Sequence, residues 1–315
     1  MTSTVPTSIG FVGTGIMGGN MARRLAEAGF AVAAWNRTAS KAEALADAGV
    51  RVAATAADAA RGARIVISML SSGPVSDEVL FGAGGVVGAM AEGTTLVMMS
   101  SVPVETARRQ ADRAAEAGIF YVDAPVSGGE KGARDGTLAI MAGGAADVVA
   151  ALTPIFETLG RPTHVGPAGA GSLAKLANQL IVASTICAVA EALLLAEQGG
   201  ADAAKVREAL LGGFADSTVL RHHGKRMIDG DFIPGGPAKY QIKDTGAALA
   251  LASTLGLSLP VATEVDRLFR DLVAHGGGDL DHSAAIVELR RANSRSGPGI
   301  AKVPGRIEQP TEEMS

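Results

Sequence analysis

The stretch "IGFVGTGIMGGNMARRL", residues 9–25, passes from five mostly apolar residues through a glycine-rich turn into an amphipathic segment. Its glycines at 13, 15 and 18 have the spacing G-x-G-x-x-G. The first permits a tight turn, the second lets a bulky anion approach the backbone, and the third lets a helix pack close on a strand. The free N–H groups and positive dipole end of that helix suit a pyrophosphate. Such a turn alone can be merely a turn. With a strand before it, a helix after it and a place at the N-terminus, it points to dinucleotide binding. Ile16 and Met17, in the first helical turn, join Gly13, Gly15 and Gly18 as candidate cofactor contacts. Further along, Ile16, Met21 and Leu25 are expected to share one face with Ala22 and Ala26, and Gly29 to cap the C-terminal end.

The end of the second strand, roughly 20 residues on, decides which dinucleotide is held. An NAD site usually carries Asp or Glu there, to accept from the ribose 2′-hydroxyl. The chain has "WNRT" instead, with Asn36, Arg37 and Thr38 and no carboxylate. Arginine grips a 2′-phosphate through charge-assisted hydrogen bonds, which favours NADP, with NAD as the alternative. The competing reading is a solvated Arg37, with Thr38 capping the next helix.

Further apolar runs follow at 30–35, 64–70, 95–99, 119–123, 137–144 and 162–166, most separated by helix-length, alanine-rich segments. That alternation implies βαβ units and a parallel sheet covered on both faces, a Rossmann-type doubly wound α/β domain. From about residue 169 the strand pattern stops. Helices are expected at 171–199, 203–212, 217–228, 239–256, 261–275 and 281–293. The predicted organisation is a dinucleotide-binding domain over 1–168 and an all-α domain over 169–293, joined by a long helix. Residues 294–315, polar and rich in Gly and Pro, read as a disordered tail.

Composition narrows the function. The 315 residues carry a formal charge of −4 and only 3% aromatic side chains, against a nucleic-acid footprint. The one cysteine, Cys187, allows no internal disulfide and sits among apolar neighbours. The five histidines, His164, His222, His223, His275 and His282, show no metal-ligand spacing, and His222–His223 reads as surface helix. The start "MTSTVPTS" lacks signal-peptide character, so a cytoplasmic location without a membrane partner is expected. Residues 180–196 are apolar around nearly the whole helix and call for burial on all sides, hence for a second subunit. A homodimer or higher homo-oligomer is expected.

Two other stretches carry candidate chemistry. "DAPVSGGEKGARDGTLAIMAGG" (123–144) places Ser127, Gly128 and Gly129 just after a strand, at the sheet edge where doubly wound folds bind ligands. Consecutive N–H groups there can receive a carboxylate, although the turn reads equally as structural. "GAGSLAKLANQ" (169–179) sets Lys175 and Asn178 three apart on one helix face. Such a lysine can donate a proton to a developing alkoxide, and the asparagine can orient the same oxygen. On the residues alone, a solvated, outward-facing lysine is the plainer reading.

Together with "QIKDTGAALA" and "DHSAAIVELRRAN", these motifs make residues 9 to about 293 resemble the β-hydroxyacid dehydrogenase family. That family includes 3-hydroxyisobutyrate dehydrogenase, tartronate semialdehyde reductase and the glyoxylate/succinic semialdehyde reductases. The resemblance implies that Lys175 is the catalytic acid/base in a cleft, with Asn178 beside it. It implies that Ser127, Gly128 and Gly129 hold the substrate carboxylate, and that Lys243 and Asp244 close the site. Lys243 and Leu70 are implied cofactor contacts, as is Ser100, whose spacing to Pro103 leaves Ser101 as the alternative. The implied reaction is reversible, metal-free hydride transfer between nicotinamide and a small carboxylate-bearing 3-hydroxy acid or its semialdehyde.

Within the family, "DGDFIPGGPAKYQIKD" and "DHSAA" are most similar to the tartronate semialdehyde branch. A larger hydroxy acid such as threonate is the competitor. That branch usually has phenylalanine eight residues before the Asp of the Lys-Asp pair, where this chain has Gly236. The exchange is expected to open room beside the substrate or loosen the loop. Imine reductases share the architecture but typically lack both the lysine and the serine-glycine-glycine turn. A chromatin-attached, turnover-free scaffold likewise lacks the lysine.

Overall fold

The computed structural model describes residues 7–294; the expected tail over 294–315 thus lies outside the described residues beyond Ser294. Nine strands form one sheet: β1 Ser8–Val12, β2 Ala31–Trp35, β3 Arg51–Val52, β4 Ile65–Ser68, β5 Thr95–Met98, β6 Phe120–Asp123, β7 Val126–Ser127, β8 Leu138–Gly143 and β9 Gly160–Gly166. Their order is β3-β2-β1-β4-β5-β6-β8-β7, with β9 also paired to β8. The run from β3 to β6 is parallel, as is β8 with β9, whereas β6 and β7 meet β8 antiparallel. The wholly parallel sheet expected from the sequence is therefore mixed at one side. The strands β3 and β7 escape a pattern-based reading because two residues show no alternation.

Strand side chains alternate between two cores, as the period of two requires. Ile9, Phe11, Ile67, Val97 and Val122 enter one core, with Met21 and Leu25 of the helix Ile16–Glu27. Val12, Val66, Leu96, Met98 and Tyr121 enter the other, with Leu80 and Ala107. Each such large apolar side chain contributes roughly 1.5–3 kcal/mol on burial. Ile16 departs from the expected face: it stands 70% exposed at the helix start, and Gly18 joins Met21, Ala22 and Leu25 in the buried set. Ile16 is the first residue of the helix, directly after the glycine turn, where the expected face does not extend. Gly29 does follow the helix end in the left-handed region, at φ 92°.

The chain divides between Lys175 and Leu176 into two compact units. The second is all-helical: after the long helix Ala170–Gln198 come Ala203–Leu210, Thr218–Asp229, Lys239–Thr254, Pro260–Leu272 and Ala285–Asn293. Its core gathers Ile186, Leu193, Met227, Phe269, Leu272 and Ile286. The long helix is long and apolar enough to cross a membrane by length and composition. It presents one stripe, including Ala183, Ile186, Ala190 and Leu193, to that core. Burial on all sides is not what the chain by itself provides: Ile181 and Leu195 are 68% and 75% exposed. Cys187 is buried, and desolvation first, then the nearby Glu191, pushes its thiol up to about 12.

Candidate active site

The glycine turn follows β1 and opens the helix Ile16–Glu27. Gly13 adopts φ 102°, and a Cβ there would lie 2.4 Å from the Met69 carbonyl oxygen. A Cβ on Gly18 would lie 2.0 Å from the Gly13 carbonyl oxygen, so only glycine lets the helix start this close to the strand. Above Gly15, by contrast, nothing lies within 4 Å. That gap beside the first N–H groups of a helix, which lack intrahelical partners, fits a dinucleotide pyrophosphate.

Asn36, just past β2, has a defined task. Its Oδ1 accepts from the Thr14 N–H at 3.1 Å while its Nδ2 donates to the Thr38 carbonyl at 3.1 Å, tying the glycine turn to the next loop. Arg37 and Thr38 are both exposed. The N-cap of the following short helix falls to Ala39 rather than Thr38. Ser100, two residues past the end of β5, is 2% exposed and its Oγ accepts from the Leu70 N–H at 2.7 Å. That bond joins Leu70 and Ser100, two of the expected cofactor contacts, while the alternative Ser101 is exposed.

At the other side of the sheet, Ser127 is half-buried at the end of β7, and the chain then turns through Gly128 and Gly129 at φ 139° and 63°. Both glycines are exposed. Asp123, the last residue of β6, is completely buried. Its Oδ1 accepts from the Gly169 N–H at 2.7 Å and its Oδ2 from the Ser172 N–H at 2.6 Å. Burial pushes this carboxyl above its ordinary range, and the two N–H donors act against the shift. Sequence reasoning read Asp123 only as a strand end. The helix whose start it holds carries Lys175, half-buried, at its sixth position.

In the second unit Asn178 Nδ2 donates to Gln179 Oε1 at 2.9 Å, and Gln179 Nε2 donates to Asp244 Oδ2 at 2.6 Å. Gln179 links two residues the sequence singled out and was itself missed; its signal was a place four residues after Lys175, on the same helix face. Lys243, next to Asp244, is exposed.

The segment before Lys243 corrects two expectations. Gly236 leaves no empty room: a Cβ there would lie 3.0 Å from Cε1 of His282. Nor is its loop loose. Asp281 Oδ2 accepts from the Gly235 and Gly236 N–H groups at 3.0 and 3.2 Å, and the His282 N–H donates back to the Gly236 carbonyl. His223, expected on the surface, is half-buried and its Nε2 shares a hydrogen bond with His282 Nε2 at 2.8 Å; His282 Nδ1 meets Gln241 Nε2 at 2.7 Å. His223, Asp281 and His282 bring potential ligand atoms within 4.8 Å of one another. Asp281 is nonetheless saturated, by those glycines, by the Ser283 N–H and hydroxyl, and by Arg226 at 2.8 Å. A metal would have to displace donors already in place.

The doubly wound sheet and its glycine turn fit a dinucleotide-binding domain, and comparison with known proteins gives the class. Residues 8–169 match the NAD-binding domain of 6-phosphogluconate dehydrogenase, and residues 169–289 the NAD-binding domain of NADP-dependent 3-hydroxyisobutyrate dehydrogenase. The chain is 45% identical over 283 residues to an Escherichia coli 2-hydroxy-3-oxopropionate reductase, covering 89% of this chain and 96% of that one. It is 35% identical to glyoxylate/succinic semialdehyde reductase 1 of Arabidopsis thaliana, over 90% of this chain and 98% of that one. Among solved structures, a Mycobacterium tuberculosis 3-hydroxyisobutyrate dehydrogenase with L-serine superposes at a TM-score of 0.83 with 31% identity, over 91% of this chain and 100% of that one. The chain belongs to the β-hydroxyacid dehydrogenase family, and is an NAD(P)-dependent hydroxyacid dehydrogenase.

The histidine pair has a consequence for stability. Burial first, then the neighbouring His282, lowers His223 to about 4, and burial also lowers His282. Between pH 6.5 and about 4 the unfolded chain binds a proton that folded His223 refuses, so stability falls as pH drops through that window. Above pH 6.5 the effect vanishes. Melting temperature measured across pH 4–8 should therefore decline on the acid side, and His223→Asn should flatten the decline. Equal acid slopes in the two proteins would contradict the assignment.

Proposed function

We propose that the protein interconverts tartronate semialdehyde (2-hydroxy-3-oxopropionate) and glycerate, with NADP as its preferred cofactor. The observation that carries this reading is the likeness, across nearly the full length of both chains, to the E. coli 2-hydroxy-3-oxopropionate reductase. The L-serine in the M. tuberculosis structure supports the substrate class, since serine carries a carboxylate and a hydroxyl on the β-carbon.

When bound, the nicotinamide supplies the hydride in reduction and accepts it in oxidation. Lys175 gives a proton to the carbonyl oxygen as the alcohol forms and takes it back in the reverse direction. Asn178 orients that oxygen, and Gln179 holds Asn178 and Asp244 in register. The Ser127 hydroxyl and the Gly128 and Gly129 N–H groups receive the substrate carboxylate. The family resemblance assigns Lys243 to substrate and cofactor and Asp244 to substrate. Ile16 and Met17 flank the dinucleotide from the first turn of their helix, while Leu70 and Ser100 lie toward its nicotinamide end.

A panel of hydroxy acids and semialdehydes assayed with both cofactors tests this reading. The highest kcat/KM should fall on a carboxylate-bearing substrate whose reacting oxygen is on the β-carbon, with threonate the competitor to tartronate semialdehyde. Lys175→Ala should lower turnover about 100- to 10,000-fold while dinucleotide affinity holds. Activity confined to amines, or to alcohols without a carboxylate, would sink the substrate class.

The cofactor preference rests on Arg37, exposed past β2 where no carboxylate opposes a phosphate. Arg37→Ala should weaken NADP about 10- to 100-fold, equivalent to roughly 1.5–3 kcal/mol, and leave NAD unchanged. Equal NADP affinity in that variant removes the argument.

We further propose that the protein is at least a homodimer. The uncovered side of the long helix supports this, with exposed Ile181 bordering an apolar groove of about 390 Å³ that includes Leu180, Leu259 and Val261. Light scattering at micromolar concentration should give no less than twice the chain mass of 31.6 kDa, and a monomer mass would refute it.

A further inference from the structure

Lys175 can serve proton transfer only if its helix begins at a fixed place with a fixed rotation. That helix starts at Ala170, and Lys175 follows Ser172 by three residues, roughly 4.5 Å along the axis. The lever between its first turn and the lysine is short, so any shift of the start passes to the side chain.

Locally the turn is closed through the backbone, the Ala170 N–H donating to the Pro167 carbonyl at 2.9 Å, while the N–H groups of Gly169 and Ser172 go to a side chain from far along the sequence. The carboxylate comes from Asp123, separated from Gly169 and Ser172 by 46 and 49 positions. One oxygen takes each N–H, at 2.7 and 2.6 Å, in charge-assisted bonds about twice as strong as neutral ones. The surrounding backbone leaves no slack. A Cβ on Gly171 would lie 2.3 Å from the carbonyl oxygens of both Asp123 and Met141. A Cβ on Gly143 would lie 2.6 Å from Asp123 Oδ1 and from the Gly171 nitrogen. The helix start is thus pressed onto the ends of β6 and β8, with the Asp123 carboxylate as the bolt.

We propose that Asp123 is a positioning residue for the reaction, setting the place and rotation of Lys175 through the Gly169 and Ser172 N–H groups. The proposal rests on the reading of Lys175 as the proton-transfer residue. Asp123 is fully buried and acts through the helix.

The experiment is a double-mutant cycle on the full chain with NADP and the best substrate of the panel. Asp123→Asn keeps the volume but turns an NH₂ toward one of the two N–H donors and pushes the turn away. A misplacement near 1 Å costs on the order of 100-fold in rate, so kcat should fall about 10- to 100-fold. KM and NADP affinity should stay within about threefold, because interactions made only in the transition state are what is lost. In a Lys175→Ala background the same substitution should lower kcat by no more than about threefold, since residues acting as a unit are not additive.

An unchanged kcat in Asp123→Asn overturns the proposal, as does a full second loss in the Lys175→Ala background, which would mark a general structural defect. Wild-type turnover in Lys175→Ala itself overturns the proton-transfer reading and this proposal with it, an outcome visible before Asp123 is touched. If Asp123→Asn does not fold, as judged by circular dichroism and NADP binding, Asp123→Ser is read by the same criteria.

Discussion

The approach of the Gly18 Cα to the Gly13 carbonyl oxygen, too close for any Cβ, is the contact on which the cofactor half of the molecule depends. It brings the N-terminus of the helix Ile16–Glu27 directly over the end of β1. Two side-chain hydrogen bonds fix the loops beside that N-terminus. Asn36 ties the Thr14 N–H down to the β2 loop, and Ser100 holds the Leu70 N–H where β4 gives out. Unscreened N–H groups at a helix start suit a ligand with negative charge of its own, and the open space above Gly15 is where one fits.

A second helix start is handled in the opposite way. The first turn of Ala170–Gln198 also presents N–H groups, but here the chain supplies the anion itself, as Asp123. One helix N-terminus stays open and the other is closed by a buried carboxylate. The physical difference is between attraction kept for a ligand and attraction used to place a helix. It gives Lys175 a defined origin although the residue itself is only half-buried.

In the second unit, polar contacts do comparable work in positioning. Asp281 gathers the Gly235, Gly236 and Ser283 N–H groups together with Arg226, and so anchors the segment that leads into Lys243 and Asp244. The His282 ring lies over Gly236 and leads to His223 on one side and Gln241 on the other. A ring contributed from elsewhere in the chain thus stands where the sequence offered only a glycine. The loop is narrower and stiffer than its composition suggests.

The amino-acid order by itself determined the dinucleotide turn, the change from alternating strands to successive helices near residue 169, and the placing of Lys175 and Asn178 on one helix face. These are readable because they depend on periodicity and on glycine sterics within a few residues. The tertiary structure alone decided that Ile16 is exposed, that β7 and β8 run antiparallel, that Asp123 closes the helix start, that Gln179 bridges Asn178 and Asp244, and that His282 fills the space over Gly236. Each of the last three joins residues 46 or more positions apart. A hydrogen bond across that distance leaves no period in the sequence, since its donor and acceptor become neighbours only when the sheet and helices have packed.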